Sequence, residues 1–492
     1  MLKSTTTTQI FGVSYIKNFN FRFTYKLDNI MQQYNHVRKM AILVAATFFM
    51  ENLDATVITT AIPAMAKSFL TNPQDLSVGI SAYMLALTIG LPASGWIANR
   101  FTAYRVFSIS IILFMLASIL CALSTNLTMF TIARLIQGLG GSLMVPVGRT
   151  VVLSRTEKQH LVSTISILVW PGLIAPLMGP LIGGFCAQYL SWHWIFILNI
   201  PLGFIALFFA HRLLPKELPE KRSFDSIGFI ACGIGLLMFV YGLEMVSHSN
   251  HSLWLGLAAS FAGSLVLTFA YYHLTHTKHP LVSLYAFSKR TFRMTFLGGS
   301  LIRIGLNSAP FILPLMFQVG FGWSPITAGS LLLSLFAGNI LLKTINTSLI
   351  HKFGFRNILI VNGLLLSFSF VLCALFTPDT SIIWIIVVLF FAGGARSIQF
   401  TTITTLSFAE IDKTEIQSAN ILSTIFQQLN NVLGIVLSAL FLFIASSYHG
   451  HKQLMVADFR LALFMVAGMT LLAMIDFITL PKNAGNNLKD KQ

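Results

Sequence analysis

The sequence predicts an all-α polytopic membrane protein, and three observations carry that prediction. Of its 492 residues 55% are hydrophobic and only 10% charged, where a soluble chain carries about a quarter charged residues; the mean hydropathy is +0.76. Apolar runs of about 18 residues or more recur along the chain, long enough to cross a hydrocarbon core about 30 Å thick. Lys and Arg alternate between the two sides of those runs. With the N-terminus inside, about 25 fall on the cytoplasmic side, about 3 outside (Lys67, Lys452, Arg460) and about 4 within spans (Arg134, Arg303, Lys343, Arg396). That asymmetry predicts both termini in the cytoplasm. It also makes the net charge of +16 a topology signal rather than a nucleic-acid footprint.

Residues 1–39 are polar and basic and lack the apolar run and small-residue cleavage site of a secretory signal, so they read as a flexible cytoplasmic tail, with Met31 or Met40 as an alternative start. Fourteen spans follow, at 40–65, 77–98, 105–123, 127–150, 161–188, 194–211, 226–246, 253–273, 294–318, 325–348, 355–376, 382–406, 416–446 and 459–480. An internal echo divides them. GWIANRFTAYRVF after the second span and SLIHKFGFRNIL near residue 350 each lead from a basic residue and Phe (Arg100–Phe101, Lys352–Phe353) through a tight turn into an apolar helix. The spacing fits two parallel six-helix bundles, 40–211 and 294–480, of the kind secondary transporters repeat. Between them lie a cytoplasmic linker (212–225), two additional helices (226–273) and a cytoplasmic loop (274–293); residues 481–492 form a cytoplasmic tail. Cys121, Cys186, Cys232 and Cys373 all fall inside apolar runs, which argues against a disulfide framework. The loops are too short for a soluble domain. No Gly-Lys pair occurs, so no P-loop is present to hydrolyse ATP. The work must come from a gradient or a partner, with no cofactor expected.

The exceptions to apolarity locate candidate chemistry. Glu51 and Asp54 stand mid-span in FFMENLDATVITTAIP, where each acid costs about 2.5–3.5 kcal/mol if it faces lipid. They are expected on one helical face beside a wet cavity, where two close carboxylates disfavour double ionisation and one takes up a proton. Arg134, also mid-span, cannot shed its proton and needs a carboxylate, carbonyls or water; Glu51 or Asp54 is the expected partner, and a permanent ion pair is the plainer reading. Arg303, beside Asn307 and Ser308, reads either as cavity lining or as a snorkelling side chain. Lys343 and Arg396 are read as snorkelling, and Glu244 and Asp476 as interfacial. His273, His276 and His279 recur every three residues in HLTHTKH, which suits a polar juxtamembrane loop better than a metal site; no metal is expected.

Several motifs in order carry a family resemblance over about residues 38–480. They are LDATVITTAIP, GWIANRFTAYR, ARLIQGLGG, APLMGPLIGG, SWHWIFILNIPLG and FDSIGF. Together they resemble the major facilitator superfamily, in its fourteen-helix drug:proton antiporter branch, among multidrug resistance protein D-like members. The resemblance implies a coupling proton carried by Asp54 and tuned by Arg134, helped by Glu51, which is less typical of the branch and reads as a local addition. It implies an inner gate at Gly95, Asn99, Arg100 and Arg105, and an antiporter motif at Gly179, Pro180, Gly183 and Gly184. Gln137, Arg303 and Asn307 are candidates for the substrate cavity. The gate departs from the family pattern, with Asn99 for the usual Asp and Thr102 for the usual Gly, so a charged latch is weakened. The function implied is proton-coupled export of small amphipathic compounds, often cationic, from the bacterial inner membrane. The alternative on the same fold is a dedicated exporter of one metabolite or siderophore. The expected partners are the substrate, protons and the lipid bilayer, with no nucleic acid; a periplasmic adaptor stays an open alternative. An embedded transferase is disfavoured because no Asp-Asp pair exists for a metal–phosphate motif.

Overall fold

A computed structural model describes residues 35–157, 160–215, 224–247, 253–277, 280–411, 415–451 and 453–481. The described chain is helical throughout, without a strand. Fourteen of its helices are long and apolar enough to cross a membrane: α1 Asn35–Thr60, α2 Pro73–Ser94, α3 Ala103–Ala122, α4 Leu127–Ser154, α5 Ser163–Tyr189, α6 Trp194–Leu213, α7 Ser226–Val246, α8 Leu253–His276, α9 Arg290–Gly320, α10 Pro325–Ile345, α11 Phe355–Ala374, α12 Ile382–Ser407, α13 Ala419–His449 and α14 Val456–Ile478. The protein is a multi-pass membrane protein.

Each boundary has a local cause. The first span runs from Asn35 to Thr60 rather than from 40 to 65. Its polar first turn continues the helix outside the apolar run, and Pro63, which lacks an amide hydrogen, sits in the first turn of a separate short helix, Ile62–Phe69. Asn126 and Ser324 cap α4 and α10 by accepting the amides of Met129 and Thr327. The two echoed turns are solved differently. Thr102 caps α3 with its hydroxyl on the Arg105 amide, whereas Gly354, at φ +78°, makes the turn into α11. The four cysteines are free thiols.

The spans pack as two six-helix bundles with α7 and α8 set against each other beside them. Across the bundle interface α5 runs along α10 and α2 along α13, while α7 touches both α2 and α13. Near the end of α7, Glu244 is buried and accepts hydrogen bonds from Ser81 at 2.6 Å and Ser77 at 3.0 Å. The expectation of an interfacial Glu244 is thus refined: its carboxylate is turned inward onto hydroxyls near the start of α2.

Candidate functional site

The first-helix acids part company. Three residues along an α-helix leave two side chains about 60° apart, and here that angle separates two environments. Asp54 points into its own bundle. Its carboxylate accepts from Arg134 Nη1 at 2.5 Å, from Gln137 Nε2 at 2.9 Å and from Asn199 Nδ2 at 2.7 Å. Arg134 and Gln137 share a face of α4 because they are three residues apart, and Arg134 Nη1 also donates to Gln137 Oε1 at 2.7 Å. Ser118 on α3 accepts from Gln137 at 2.8 Å. The Arg134 guanidinium lies 4.0 Å over the Tyr83 ring. Asp54 and Arg134 are both fully buried. This is a closed polar knot joining α1, α3, α4 and α6.

Glu51, about 60° round the helix, lines a cavity of about 320 Å³ between the two bundles. One of its carboxylate oxygens is buried without a hydrogen-bond partner. The pair expected on one cavity-facing surface is therefore divided, with only Glu51 among the lining residues. Gln137, expected in the cavity, belongs instead to the Asp54 knot. Arg303 and Asn307 do line the cavity, together with Asn52, Tyr83, Asn339, Arg396, Gln427, Gln428 and Asn431. Arg303 donates to Thr404 at 3.3 Å and keeps its Nε without a partner.

Arg396 is the residue sequence reasoning missed. Taken as a snorkelling side chain, it turns inward, donating to the Leu306 carbonyl and, at 3.3 Å, to Asn307 Oδ1. Asn307 in turn donates to Asn431 at 2.7 Å. The signal was present in the chain: Ala133-Arg134-Leu135-Ile136-Gln137 on α4 recurs as Ala395-Arg396-Ser397-Ile398-Gln399 on α12. The contacts recur as well. Gln399 accepts from Asn362 on α11 at 2.8 Å, as Gln137 bonds Ser118 on α3. Where Arg134 meets Asp54 on the first helix of its bundle, Arg396 meets Asn307 on the first helix of the other. The second arginine thus has an amide where the first has a carboxylate. Among the described cavity-lining residues the charged ones are Glu51, Arg303 and Arg396, an excess of positive charge.

The antiporter-motif residues lie at one end of the bundle interface. Thr60 donates to the Pro180 carbonyl at 3.1 Å, and Gln318 reaches the Thr60 carbonyl from the other bundle at 3.1 Å. A Cβ at Gly183 would run into the Val57 carbonyl, and one at Gly184 would lie 2.6 Å from the Pro325 carbonyl oxygen of α10. Only glycine allows α5 to seal against α1 on one side and α10 on the other. Prolines 171, 176 and 180 remove three backbone donors from the same helix. Of the residues expected at the inner gate, Gly95, Asn99 and Arg100 lie at the opposite end on the helix that runs to Arg100, and Arg105 lies in the first turn of α3. Arg100 and Arg105 are exposed; the side chain of Asn99 is not among those described. Lys343 is exposed. His273 bonds Asp225 at 2.9 Å and His276 the Tyr272 carbonyl of its own helix, which parts two of the HLTHTKH imidazoles; His279 lies outside the described residues. Asp476 accepts the Gly298 amide at 2.9 Å.

Known proteins resemble the chain in sequence and in fold. The Major Facilitator Superfamily model matches residues 44–435 and 295–491. A Pectobacterium carotovorum protein provisionally named multidrug resistance protein MdtD is 36% identical over 449 residues, covering 90% of this chain and 94% of the relative. Its namesake in Serratia proteamaculans is 37% identical over 408 residues, covering 81% and 83%. Among solved structures, the peptide transporter POT in complex with sulfate superposes with a TM-score of 0.66 at 13% identity, covering 92% and 95%, and a D-xylose–proton symporter with 0.63 at 13%, covering 91% and 98%. Two bundles around a polar cavity, the ordered motifs and this match together make the chain a transporter of the Major Facilitator Superfamily.

Proposed function

We propose that this chain is a proton-coupled exporter of small amphipathic molecules, working by alternating access in a bacterial inner membrane with both termini cytoplasmic. The observation that carries the reading is the division of the acids. Glu51 stands in the cavity with an unpartnered oxygen, while Asp54 is closed against Arg134. In this reading Glu51 exchanges its proton with whichever side the cavity faces, and the Asp54–Arg134 pair holds α1 against α4 and α6 and senses the change through α1. Cargo and proton would compete for the cavity, which gives antiport. With the N-terminus inside, the end sealed by Thr60, Pro180 and Gly184 is the outer one, so the cavity belongs to an inward-facing state. The names of the relatives support multidrug cargo.

A second reading of the cargo is favoured by the cavity charge. Arg303 and Arg396 face one carboxylate and a ring of amides, a lining suited to bind a carboxylate or phosphate by charge-assisted hydrogen bonds. That favours a dedicated exporter of one acidic metabolite over an exporter of lipophilic cations. Everted vesicles with an acid interior, followed with a pH-sensitive dye, distinguish the two. Export of acidic compounds that Arg396→Gln abolishes favours the dedicated exporter. Export of cationic dyes that Arg396→Gln leaves intact favours multidrug efflux. No proton release by any compound that the protein demonstrably moves would overturn coupling altogether.

A further inference from the structure

A second constellation of ligating side chains lies outside the cavity lining, where α13 ends and α14 begins. The helix α13 closes on His449, and Gly450 at φ +70° turns the chain left-handed. His451 then folds back, its amide donating to the Ser446 carbonyl at 2.9 Å. Two imidazoles two residues apart are thereby set side by side, with ring centroids 5.3 Å apart and planes inclined by 28°. The connection leads into α14, whose first turn supplies Asp458. This carboxylate is fully buried, and its Oδ2 accepts the Met455 amide at 2.8 Å. His449 Nδ1 lies 2.7 Å from Asp458 Oδ1, and His451 Nδ1 lies 2.9 Å from Oδ2 and 3.0 Å from Oδ1.

We propose that His449, His451 and Asp458 form a binding site for a divalent transition-metal ion of the zinc class, which staples the adjoining ends of the last two spans. The three donor atoms all lie within 4.8 Å of one another. A tetrahedral ion about 2.1 Å from each ligand sets ligands about 3.4 Å apart, so each imidazole must draw back from the carboxylate by roughly 0.5–0.7 Å from its present 2.7 and 2.9 Å to admit it. The donor set is two imidazole nitrogens and one carboxylate oxygen, which suits zinc, cobalt or nickel and disfavours calcium and magnesium, whose ligands are oxygens. The ligands are held before the ion arrives. A left-handed glycine turn fixes the two histidines, and the Met455 amide orients the carboxylate, as an outer-shell donor does in metal sites. Both rings remain partly exposed, with side-chain accessibilities of 28% and 23%, which leaves an entry path and room for water as the fourth ligand. Neutral imidazoles must present bare Nδ1 atoms, so binding displaces any proton they carry.

The test uses the full-length protein in detergent, purified without a polyhistidine tag, with Co²⁺ and Zn²⁺ as probes. The chain has 12 histidines, so each titration is compared with His449→Ala, His451→Ala and the double variant. Their unmetallated melting temperatures verify the fold. We expect one Co²⁺ with visible absorption of low-coordinate cobalt in the wild type, displaced by Zn²⁺, and at least ~10-fold weaker binding in each single variant. The wild-type melting temperature should rise with Zn²⁺, and that of the double variant should not. Equal cobalt binding by wild type and double variant would overturn the proposal. So would a histidine-dependent response to pH with none to metal, which would leave only hydrogen bonds between the rings and the carboxylate.

Discussion

Asp54 and Arg134 are a buried ion pair whose carboxylate also accepts from Gln137 and Asn199, while Arg134 Nε and Nη2 are buried without a hydrogen-bond partner. Removing one partner of such a pair strands the other charge away from water, at a cost of about 3–5 kcal/mol. Asp54→Asn alone should therefore lower the melting temperature of the purified protein sharply. The double substitution Asp54→Asn with Arg134→Met should recover much of that loss, because no charge is then stranded. A double variant no more stable than the single one would show that the pair does not act as a unit. Arg396 is a different case, since its position opposite Asn307 leaves its charge for whatever enters the cavity. Arg396→Gln should weaken an acidic cargo by about 10-fold or more, about 1.4 kcal/mol, with little effect on a cationic one. Tracer binding to the purified protein measures the ratio.

Helix α5 shows how an element can be built to seal. Its glycines remove the side chains that would hold it off α1 and α10, and its prolines leave it free to bend. Gly184→Val would place carbon against the Pro325 carbonyl, so the bundles should part at that end. A cysteine introduced at Gln318, beside Thr60, reports the change: its labelling by a membrane-impermeant maleimide should rise several-fold when Gly184→Val is added. Unchanged labelling would mean that the contact tolerates a larger residue. The start of α7 carries a separate device. Asp225 caps it, accepting the amides of Gly228 at 2.8 Å and Leu281 at 3.1 Å and bonding His273 at 2.9 Å. Burial pushes the carboxyl up, but those hydrogen bonds outweigh it and hold the pKa below the ordinary 3.8. A depressed carboxylate stabilises the fold above its unfolded pKa, and that contribution is lost as pH falls through the folded one. As pH falls below about 4, wild type should thus lose melting temperature more steeply than Asp225→Asn, which keeps the cap but not the charge. Parallel pH profiles would remove Asp225 from the account.

At the scale of the whole molecule, hydropathy alone made the fourteen spans legible, since span length is a property of the bilayer as much as of the chain. The first helix shows the limit, because apolarity runs smoothly past Thr60 and only Pro63 signals the break. The site was legible in its residue types and not in its facing. Glu51 and Asp54 looked like one surface because both are acids one turn apart; the 60° between them is enough to give Glu51 the cavity and Asp54 the Arg134 side chain as neighbours. Arg396 looked like a snorkelling side chain when weighed alone, and only the ARLIQ and ARSIQ echo could have revealed it as the counterpart of Arg134. His449, His451 and Asp458 went unseen because a left-handed glycine and a helix start bring together residues of unremarkable spacing. We propose that Glu51, rather than Asp54, exchanges the coupling proton with the cavity. This exchange is tested most directly in everted vesicles holding an acid interior, with wild type and Glu51→Gln compared on any compound that releases protons through wild type. Glu51→Gln should still bind and exchange that compound while releasing no protons. Proton release by Glu51→Gln at the wild-type rate would contradict the account.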